Sequence, residues 1–554
     1  MNFDQLYNKA ESGSGFFGDK SCTRIYISTF DDILALQDIS GAFSTQAEKY
    51  NIRAEIIPAG SSGYYDLEPI IRVDKPDWPS VLFRNVTPET AGIIVEEFIV
   101  NDRPVKDITL GSTGDRKIEG IPELIELPLF SLQNRIALRN CGNIDPDKID
   151  QYILYAKGFS GLAKALSMDP VDVISELRKS GLRGKGGGGY PTADKWQTCN
   201  NAQGDEKYVV CNAVDDDPDS QTARLLLESD PYSVLEGMLV AAYAVGASQC
   251  YLCINSRNPG AVEQASRALE QMKEYSLVGE NILDSGYSCT VSIHEEVDSL
   301  VSGEETALIR SVEGKQPIPY LKTVDPAVKG IGGKPTLVNN LETLACVSAI
   351  FQNGAEWYKV TGTDKSPGTK VITISGDAVH KYTVEVPFGT TLDSVVKDIG
   401  GGTPGEEAVK AIRFGGPTGR FFDVNSLDTH IDFESMTEAG TILGSGVLTV
   451  YDNSNCVVET TRDLVDYLHD QSCGKCVFCR EGSLQIFEIF KDISENNSRP
   501  GDLDLVTELC EAMKEGSICG LGTNIPNPVL SSINLFGSDY ESHIQSKKCP
   551  VSQP

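Results

Sequence analysis

Basic side chains are scarce in this sequence. It contains 48 lysines and arginines against 79 aspartates and glutamates, which gives a formal net charge of -31. A protein surface of that sign repels phosphate backbones and anionic lipid headgroups. We therefore expect no nucleic-acid partner.

Long hydrophobic runs are absent as well. The best apolar stretch, "VLEGMLVAAYAVGA" at residues 234–247, is too short to span a bilayer and contains Glu236. The opening residues, "MNFDQLYNKAESGSG", lack the basic segment and the apolar core of a signal peptide. These features predict a soluble cytoplasmic protein with no direct membrane insertion.

The length and the patterning of apolar residues predict a multidomain α/β protein. A chain of 554 residues exceeds one ordinary hydrophobic core. Strand-like and helical stretches alternate as far as about residue 362, a strand–turn–strand–helix pattern covers residues 369–401, and helical periodicity runs from residue 459. We predict four domains, at residues 1–115, 116–365, 366–458 and 459–554.

Glycine is concentrated in the stretch "GLRGKGGGGYPTADKW", residues 181–196, with six glycines between residues 181 and 189. Without Cβ atoms, backbone N–H groups can converge on an anion, and a following helix N-terminus adds partial positive charge. The stretch therefore predicts a phosphate site. Its spacing is neither that of a Walker loop nor that of a dinucleotide fingerprint, so a flexible surface turn is the alternative.

Cysteines number 15, and in a long chain without an export signal they indicate metal ligands or buried thiols. The stretches "SCGKCVFCREGS" and "GSICGLGT" contain Cys473, Cys476, Cys479 and Cys519. Three cysteines at C-x2-C-x2-C spacing with a distant fourth are typical of a [4Fe-4S] cluster. A structural zinc site and unligated buried thiols are the alternatives.

Several motifs together carry a family resemblance. In order they are "GLRGKGGGGYPTADKW", "VVCNAVDDDPDS", "SGEETALIRSVEG", "GGKPTLVNNLETL" and "SCGKCVFCREGS". Over about residues 135–545 the chain resembles the NADH-oxidising flavoprotein subunit of complex I and its relatives in NAD-linked and electron-bifurcating hydrogenases and formate dehydrogenases. The resemblance implies FMN, NAD(H) and one [4Fe-4S] cluster as cofactors, and electron transfer to or from partner subunits.

The resemblance also implies domain types and site residues. The four domains would be thioredoxin-like, FMN-binding α/β, β-grasp ubiquitin-like (SLBB-type) and helical with the iron–sulfur site. The cluster ligands would be the four cysteines named above. The residues implied to bind FMN or NAD(H) are Gly184, Lys185, Gly186, Gly187, Tyr190, Lys195, Asn212, Asp215, Glu304, Glu305, Asn339 and Asn340.

Other positions depart from the family pattern. Val214 stands where relatives have an acid, Leu300 where they have a flavin-contacting tyrosine, and Thr198 and Asp325 where they have nucleotide-stacking aromatics. Two functions are therefore open. The first is an active diaphorase-type subunit, and the second is a degenerate paralogue that serves as a scaffold or electron relay without NAD(H) binding.

The N-terminal domain resembles a thioredoxin-like module that has lost a [2Fe-2S] cluster. Ser61 and Tyr65 occupy two of the expected cysteine positions, and Cys22 alone cannot hold two irons. Beyond Cys519 only Cys549 remains, so we expect no appended ferredoxin domain. The resemblance therefore implies that electrons pass to a thioredoxin-like [2Fe-2S] subunit, a ferredoxin-domain subunit or a hydrogenase or dehydrogenase subunit.

Overall fold

The computed structural model describes residues 1–14, 18–30, 33–114, 116–215, 217–405 and 408–551. Gly15 and Asp216 belong to stretches quoted above and lie outside these residues. The described chain forms three β-sheets with surrounding helices, followed by a helical C-terminal part. The prediction of a multidomain α/β protein is confirmed at this level.

The first sheet has five strands in the order β2-β1-β3-β4-β5. Strands β1 and β2 are parallel, and the other pairs are antiparallel. The helix over residues 88–93 has Thr87 as its N-cap residue and continues as a π-helix over Ile94–Val100. The elements are α1 (Phe3–Gly13), β1 (Thr23–Ser28), α2 (Ile33–Lys49), β2 (Ala54–Ala59), β3 (Ile70–Asp74), β4 (Ser80–Phe83), α3 (Pro88–Ile93) and β5 (Thr109–Thr113).

The central sheet is parallel throughout, in the order β8-β7-β6-β9. Its strands are largely buried by helices, which explains their apolar character. Cys250 and Cys253 are fully buried core residues of this sheet. The elements are α4 (Pro128–Ser131), α5 (Ile149–Tyr155), α6 (Ser160–Leu166), α7 (Pro170–Ser180), α8 (Thr192–Asn201), β6 (Tyr208–Ala213), α9 (Thr222–Ser229), α10 (Pro231–Val245), β7 (Gln249–Asn255), α11 (Pro259–Glu274), β8 (Thr290–Glu296), α12 (Glu305–Val312), β9 (Thr336–Asn340), α13 (Leu341–Asn353) and α14 (Ala355–Lys359).

The third sheet is mixed, in the order β11-β10-β14-β12-β13, and has its own apolar core. The helix expected after its second strand is a π-helix over Ser394–Ile399. The elements are β10 (Thr369–Gly376), β11 (Thr383–Pro387), β12 (Val409–Phe414), β13 (Arg420–Asp423), α15 (Phe433–Glu438) and β14 (Val447–Asp452).

Buried ionic contacts join the third sheet to the central part. The Glu385 carboxylate accepts the backbone N–H groups of Ile136, Ala137 and Leu138 at 2.8–2.9 Å. The Lys370 ammonium donates to the Glu342 carboxylate, and both side chains are at most 2% exposed. Since separating these groups would leave buried charges unpaired, the two parts are held firmly together.

The C-terminal part is entirely helical, as its periodicity predicts, and packs around its own core. Its helices are α16 (Val457–Asp470), α17 (Val477–Ser494), α18 (Asp502–Gly516), α19 (Gly520–Asn524), α20 (Pro526–Leu535) and α21 (Gly537–Gln545). Among the described residues, no helix combines the length and the apolar character that a membrane span needs.

Candidate functional site

A cleft opens at the carboxyl ends of β6 and β9, where parallel sheets of α/β proteins bind their ligands. It consists of two adjoining cavities of about 280 Å³ and 340 Å³ that share Gly186, Asn212 and Asn340. The first cavity has walls from three parts of the chain, because Gly444 of the third sheet and Leu521 of the helical part also line it.

The glycine-rich loop lies between α7 and α8 on one side of this cleft. Gly187 has a φ of 108°, and a Cβ placed there would lie 2.7 Å from the Cα of Gly444. Gly189 has a φ of 63°, and its Cβ would lie 2.4 Å from the Phe433 ring. The loop is therefore packed against the third sheet, which argues against a flexible surface turn. The missing side chains leave a backbone cradle that fits a phosphate group.

Lys185 lies within this loop, but its charge does not face the cleft. The side chain is buried, and its ammonium contacts the Thr369 carbonyl and lies 4.2 Å from the centre of the Phe388 ring. Burial lowers the pKa of Lys185. Lys185 is nevertheless one of the residues that line the first cavity. The geometry gives its ammonium a place at the interface with the third sheet.

Lys195 lies on α8 and forms an ion pair at the floor of the second cavity. Its ammonium is 2.5 Å from Glu305 Oε1 and 2.8 Å from the Val338 carbonyl. Lys322 approaches the other Glu305 oxygen to 2.6 Å. Although burial opposes it, the charges of Lys195 and Lys322 hold the pKa of Glu305 below its ordinary value. Lys322 was not predicted, because it lies in an irregular segment whose sequence gives no sign that it returns to the cleft.

Glu304 begins α12 and lines the first cavity. One carboxylate oxygen accepts the N–H groups of Thr306 at 2.8 Å and Ala307 at 3.1 Å, which is an N-cap. This is the helix-start role that glutamates have at such positions. The cap uses one carboxylate oxygen of Glu304. The other oxygen lies 3.7 Å from the Lys322 ammonium and is available to the cleft.

The predicted asparagines converge on the cleft from β6 and β9. Asn212 donates to the Gly303 carbonyl at 2.8 Å, which joins β6 to the segment before α12. Asn340 caps α13 by accepting the Glu342 N–H at 2.9 Å and lines both cavities. Asn339 is buried and accepts the Trp196 indole N–H at 2.8 Å. Asn212 and Asn340 therefore line both cavities, whereas Asn339 lines the second cavity and fixes α8.

The loop after β6 presents buried carboxylates to the first cavity. Asp215 has a φ of 46°, accepts the Ala223 N–H at 2.7 Å, and has its pKa raised by burial. Burial raises the pKa of Asp217, which accepts the Ser445 hydroxyl at 2.5 Å, to about 6. Like Lys322, Asp217 is a cavity residue that the sequence did not predict, and it lines the first cavity. Val214, by contrast, is fully buried in an apolar cluster.

Of the three positions where the family resemblance implies nucleotide-stacking rings, Tyr190, Thr198 and Asp325, Tyr190 is the one that lines the second cavity. Tyr190 is 59% exposed. Thr198 donates its hydroxyl to the Asp194 carbonyl at 2.9 Å along α8. Asp325 is exposed and accepts the Ala327 N–H at 2.8 Å. The structure thus leaves one aromatic ring, that of Tyr190, at these three positions.

Leu300 lines the first cavity from the segment between β8 and α12. Its N–H donates to the Gln471 side-chain carbonyl at 2.8 Å, and its side chain packs against the core of the helical part. The residue therefore fastens the cavity wall to the helices that carry the four cysteines.

Cys473, Cys476, Cys479 and Cys519 come together at one end of the helical part. Burial, and then the neighbouring thiols of Cys476, Cys519 and Cys473, raise the pKa of Cys479 to about 11. Cys476 is the N-cap residue of α17, and Cys519 is that of α19. The residue after Cys519, Gly520, lines the first cavity. The four thiols therefore lie directly behind the cavity wall.

The sulfurs of these cysteines are spaced more widely than the ligands of a tetrahedral zinc site. In a tetrahedral site with Zn–S bonds of about 2.3 Å, the sulfurs lie about 3.8 Å apart. Among the described residues, one group of at least three Cys, His, Asp or Glu side chains has all its ligand atoms within 4.8 Å of one another. None of the four cysteines belongs to that group. They are therefore spread more widely than zinc requires, which fits a larger inorganic core.

The predicted cluster positions of the N-terminal part hold hydroxyl groups. Ser61 donates to the Glu68 carboxylate at 2.7 Å, and the Ser62 N–H donates to the same carboxylate at 2.9 Å. Tyr65 donates to the Thr383 hydroxyl at 2.9 Å, which ties it to the third sheet. Cys22 is buried just before β1. These groups do not fit a [2Fe-2S] cluster, since thiolates are its usual ligands.

Comparisons with known proteins agree with this geometry. Residues 177–349 match the family model described as the Nuo51 FMN-binding domain, and residues 459–543 match the NADH-ubiquinone oxidoreductase-F iron–sulfur binding region. The chain is 43% identical to NADP-reducing hydrogenase subunit HndC of Solidesulfovibrio fructosivorans, over 76% of this chain and 85% of that protein.

Two further relatives and one solved structure extend the likeness. The NADH-quinone oxidoreductase F 2 subunit of Rhizobium meliloti is 35% identical over 71% of this chain and 94% of that protein. The corresponding F subunit of Escherichia coli is 33% identical over 72% of this chain and 90% of that protein. The crystal structure of NAD+-reducing [NiFe]-hydrogenase in the air-oxidised state aligns with a TM-score of 0.66 at 24% identity, covering 98% of this chain and 88% of that one, and so supports the fold.

Proposed function

Because the chain belongs to the flavoprotein family that includes the F subunit of NADH-quinone oxidoreductase and hydrogenase subunit HndC, we propose that its NAD(H) site is active and that its electrons pass to or from partner subunits. The chain is an electron-transfer subunit with FMN and [4Fe-4S] as cofactors. One observation supports the proposal most directly. A single continuous cleft is lined by the glycine-rich loop, by the Lys195–Glu305 ion pair and by Gly520, which follows Cys519.

The chain's own residues would hold and orient the cofactors. Backbone N–H groups of Gly186 and Gly187 would bind the flavin phosphate, and Asn212 and Asn340 would bind its polar edges. The Gly184 N–H donates to the Tyr190 carbonyl at 2.9 Å, so Gly184 would act by closing the loop. FMN accepts a hydride and releases electrons singly, which a [4Fe-4S] cluster takes one at a time. The protein's task is therefore positioning, and no side chain needs to act as a general acid or base.

The second cavity would hold the nicotinamide nucleotide. Lys195 and Lys322 offer two cations near the phosphates, and Glu305 holds both ammonium groups in fixed positions. Glu304 can accept a hydrogen bond from the nucleotide with the oxygen that its helix cap does not use. Tyr190 supplies one stacking surface at the mouth.

The domain assignment is part of the proposal. The β2-β1-β3-β4 order with one parallel pair supports a thioredoxin-like module at residues 1–115, and the mixed sheet with its π-helix supports a β-grasp module at residues 366–458. The segments 116–365 and 459–554 would be the FMN and cluster domains. We also propose a cytoplasmic location, which the lack of disulfides among the described cysteines supports.

A degenerate paralogue without NAD(H) binding is the second candidate. The observations that favour it are Thr198, whose hydroxyl is turned to its own helix, and Asp325, an exposed carboxylate where relatives have a ring. Such a subunit would keep the cluster as an electron relay. The two candidates differ in whether NADH reduces the bound flavin.

We expect NADH to reduce the flavin, but with lowered affinity. Losing two stacking rings at about 0.5–1.5 kcal/mol each weakens binding by about fivefold to a hundredfold. Anaerobic titration of the FMN-loaded protein with NADH, followed by visible flavin absorbance, measures this. The double substitution Thr198→Phe with Asp325→Phe should tighten binding, and Leu34→Phe at an exposed site of α2 is the matched control. If NADH bleaches the flavin at no concentration, in wild type and in the double variant, the result would favour an electron relay without NAD(H) binding.

The N-terminal domain should hold no [2Fe-2S] cluster. Its described residues offer a single cysteine, Cys22, and serine and tyrosine side chains occupy two predicted ligand positions. Electron paramagnetic resonance of the dithionite-reduced full chain should therefore show one [4Fe-4S] signal. A [2Fe-2S] signal that survives Cys476→Ser but disappears in Cys22→Ser would show that this domain binds iron after all.

A further inference from the structure

A third cavity, of about 250 Å³, lies apart from the cleft, between the first sheet and the segment that leads into the central part. One wall is the sheet face opposite to the apolar core of this region, and it carries Tyr26, Arg72 and Leu82 side by side on β1, β3 and β4. Arg135 belongs to the other wall, whose residues lie between 124 and 143. The third cavity therefore lies at the junction of two parts of the chain.

The charge of the third cavity is opposite to that of the whole chain. Arg72 and Arg135 line it, and among the described residues of its wall there is no aspartate or glutamate. Two carboxylates lie behind the wall. Asp74 Oδ1 is 3.3 Å from Arg72 Nε, and Glu68 accepts the N–H and the hydroxyl of Ser62 at 2.9 Å and 3.1 Å. Burial raises the pKa of Glu68, which reduces its negative charge.

Both guanidinium groups lie over tyrosine rings of the cavity wall. The Arg72 group is 3.6 Å from the centre of the Tyr26 ring, and the Arg135 group is 5.5 Å from that of the Tyr64 ring. Both tyrosines line the third cavity. A guanidinium that stacks on a ring keeps its N–H groups for acceptors in its own plane. The two stacks therefore fix two cations beside the cavity.

Hydrogen bonds direct the two arginines toward neighbouring points of the wall. Arg72 donates to Asn143 Oδ1, and Arg135 donates to the Ser62 carbonyl at 2.9 Å. Gly142 packs on Ser62, since a Cβ at Gly142 would lie 2.8 Å from the Ser62 Cβ. The Arg135 Nε is buried and has no hydrogen-bond partner among the described residues. Because an unpaired buried donor is unfavourable, an acceptor brought by a ligand would stabilise this side chain.

We propose that the third cavity binds a small aromatic anion, with the carboxylate or phosphate of the ligand between Arg72 and Arg135. Guanidinium groups bind both kinds of oxyanion through paired N–H donors. The rings of Tyr26, Tyr64 and Phe130 give the wall an apolar surface for a flat molecule. The volume lies below the range of about 300–1,000 Å³ that drug-sized ligands occupy, so one ring with one acidic group fits and a dinucleotide does not.

The site is separate from the cleft, because the third cavity shares none of its lining residues with the first two. Its ligand would contact both the first sheet and the segment before α5, and so would hold these parts together. Since binding there stabilises the folded chain alone, the ligand should also raise the unfolding temperature of the full protein.

The test uses the full chain loaded with FMN, and the probes are para-bromobenzoate and phenyl phosphate. Isothermal titration calorimetry should show one site per chain, with a dissociation constant of about 1 mM or lower for at least one probe. The tighter probe identifies the acidic group. The neutral para-bromobenzyl alcohol should bind at least about tenfold more weakly, because it offers no charge to the guanidinium groups.

Variants distinguish the third cavity from the nucleotide cavity. Arg72→Gln and Arg135→Gln should each weaken binding of the probe by about tenfold or more. Ser80→Phe should do the same, because it fills the cavity and keeps both arginines. Arg103→Gln is the matched control, since Arg103 is an exposed arginine that pairs with Glu97 in the same region. The FMN content of all four variants should equal that of wild type.

A crystal structure of wild type with para-bromobenzoate locates the probe even where a variant fails to fold. The anomalous peak of bromine should lie in the third cavity. A peak in the cleft alone would contradict the proposal, as would the failure of both anions to bind. Equal affinity for the neutral alcohol, or unchanged affinity in all three cavity variants, would overturn it as well.

Discussion

Replacing Gly187 by alanine should abolish FMN binding while leaving the cluster in place. The backbone φ of 108° at this position disfavours a side chain. The new Cβ would also lie 2.7 Å from the Cα and 2.8 Å from the nitrogen of Gly444, which are backbone atoms with little freedom to move. The loop would have to leave the third sheet, and its N–H groups would no longer converge on a phosphate.

The measurement is the ratio of bound FMN to protein after reconstitution and gel filtration, with iron content as a check on folding. We expect FMN binding weaker by at least about a hundredfold, because several charge-assisted hydrogen bonds are lost together. Gly92→Ala on α3 is the matched control, since its Cβ would meet only the Gln46 side chain at 3.5 Å. Full FMN occupancy in Gly187→Ala would mean that the phosphate lies elsewhere.

Cys476→Ser should remove the iron–sulfur cluster and leave the flavin bound. Cys476 is the N-cap residue of α17, so its sulfur lies at the N-terminus of an 18-residue helix, which favours the negative charge of a bound cluster. Serine has no comparable anion to offer, and the three remaining cysteines cannot close a cube that needs four. Iron should fall from about four atoms per chain to less than about one.

Cys510→Ala is the control for this variant, because Cys510 is a fully buried cysteine of the same core on α18. It should keep its full iron content. With the cluster gone, NADH should still bleach the flavin in the Cys476→Ser protein, but transfer to a one-electron acceptor protein should stop. Unchanged iron in Cys476→Ser would exclude this cysteine as a ligand.

The sequence predicts the cofactor-binding motifs of this site better than it predicts the other residues that line the two cavities. Spacing predicted that Cys473, Cys476, Cys479 and Cys519 form one group, because ligands of one cluster must lie close together in space and three of these lie close together in sequence. The glycine-rich stretch is also a signal within a short segment of sequence, and for that reason the sequence predicted a phosphate site there. Both signals depend on short stretches of chain that have to adopt one conformation.

What the sequence could not give depends on tertiary packing. Lys185 stands among the glycines, and nothing local shows that its side chain turns away from the cleft to the Thr369 carbonyl. Lys322 and Asp217 reach the cavities through irregular segments without periodicity. Cys456 and His543 are 87 positions apart, so no motif links them, although their side chains meet.

The first cavity draws its walls from the central sheet, the third sheet and the helical part, and this restricts how such a chain can be rearranged in evolution. Glu385 binds the backbone of residues 136–138, and Lys370 pairs with Glu342, so a break between β9 and β10 would separate partners on both sides. A gene fusion or exchange at that boundary would need a donor with the same buried charges. The three parts should therefore be inherited as one block.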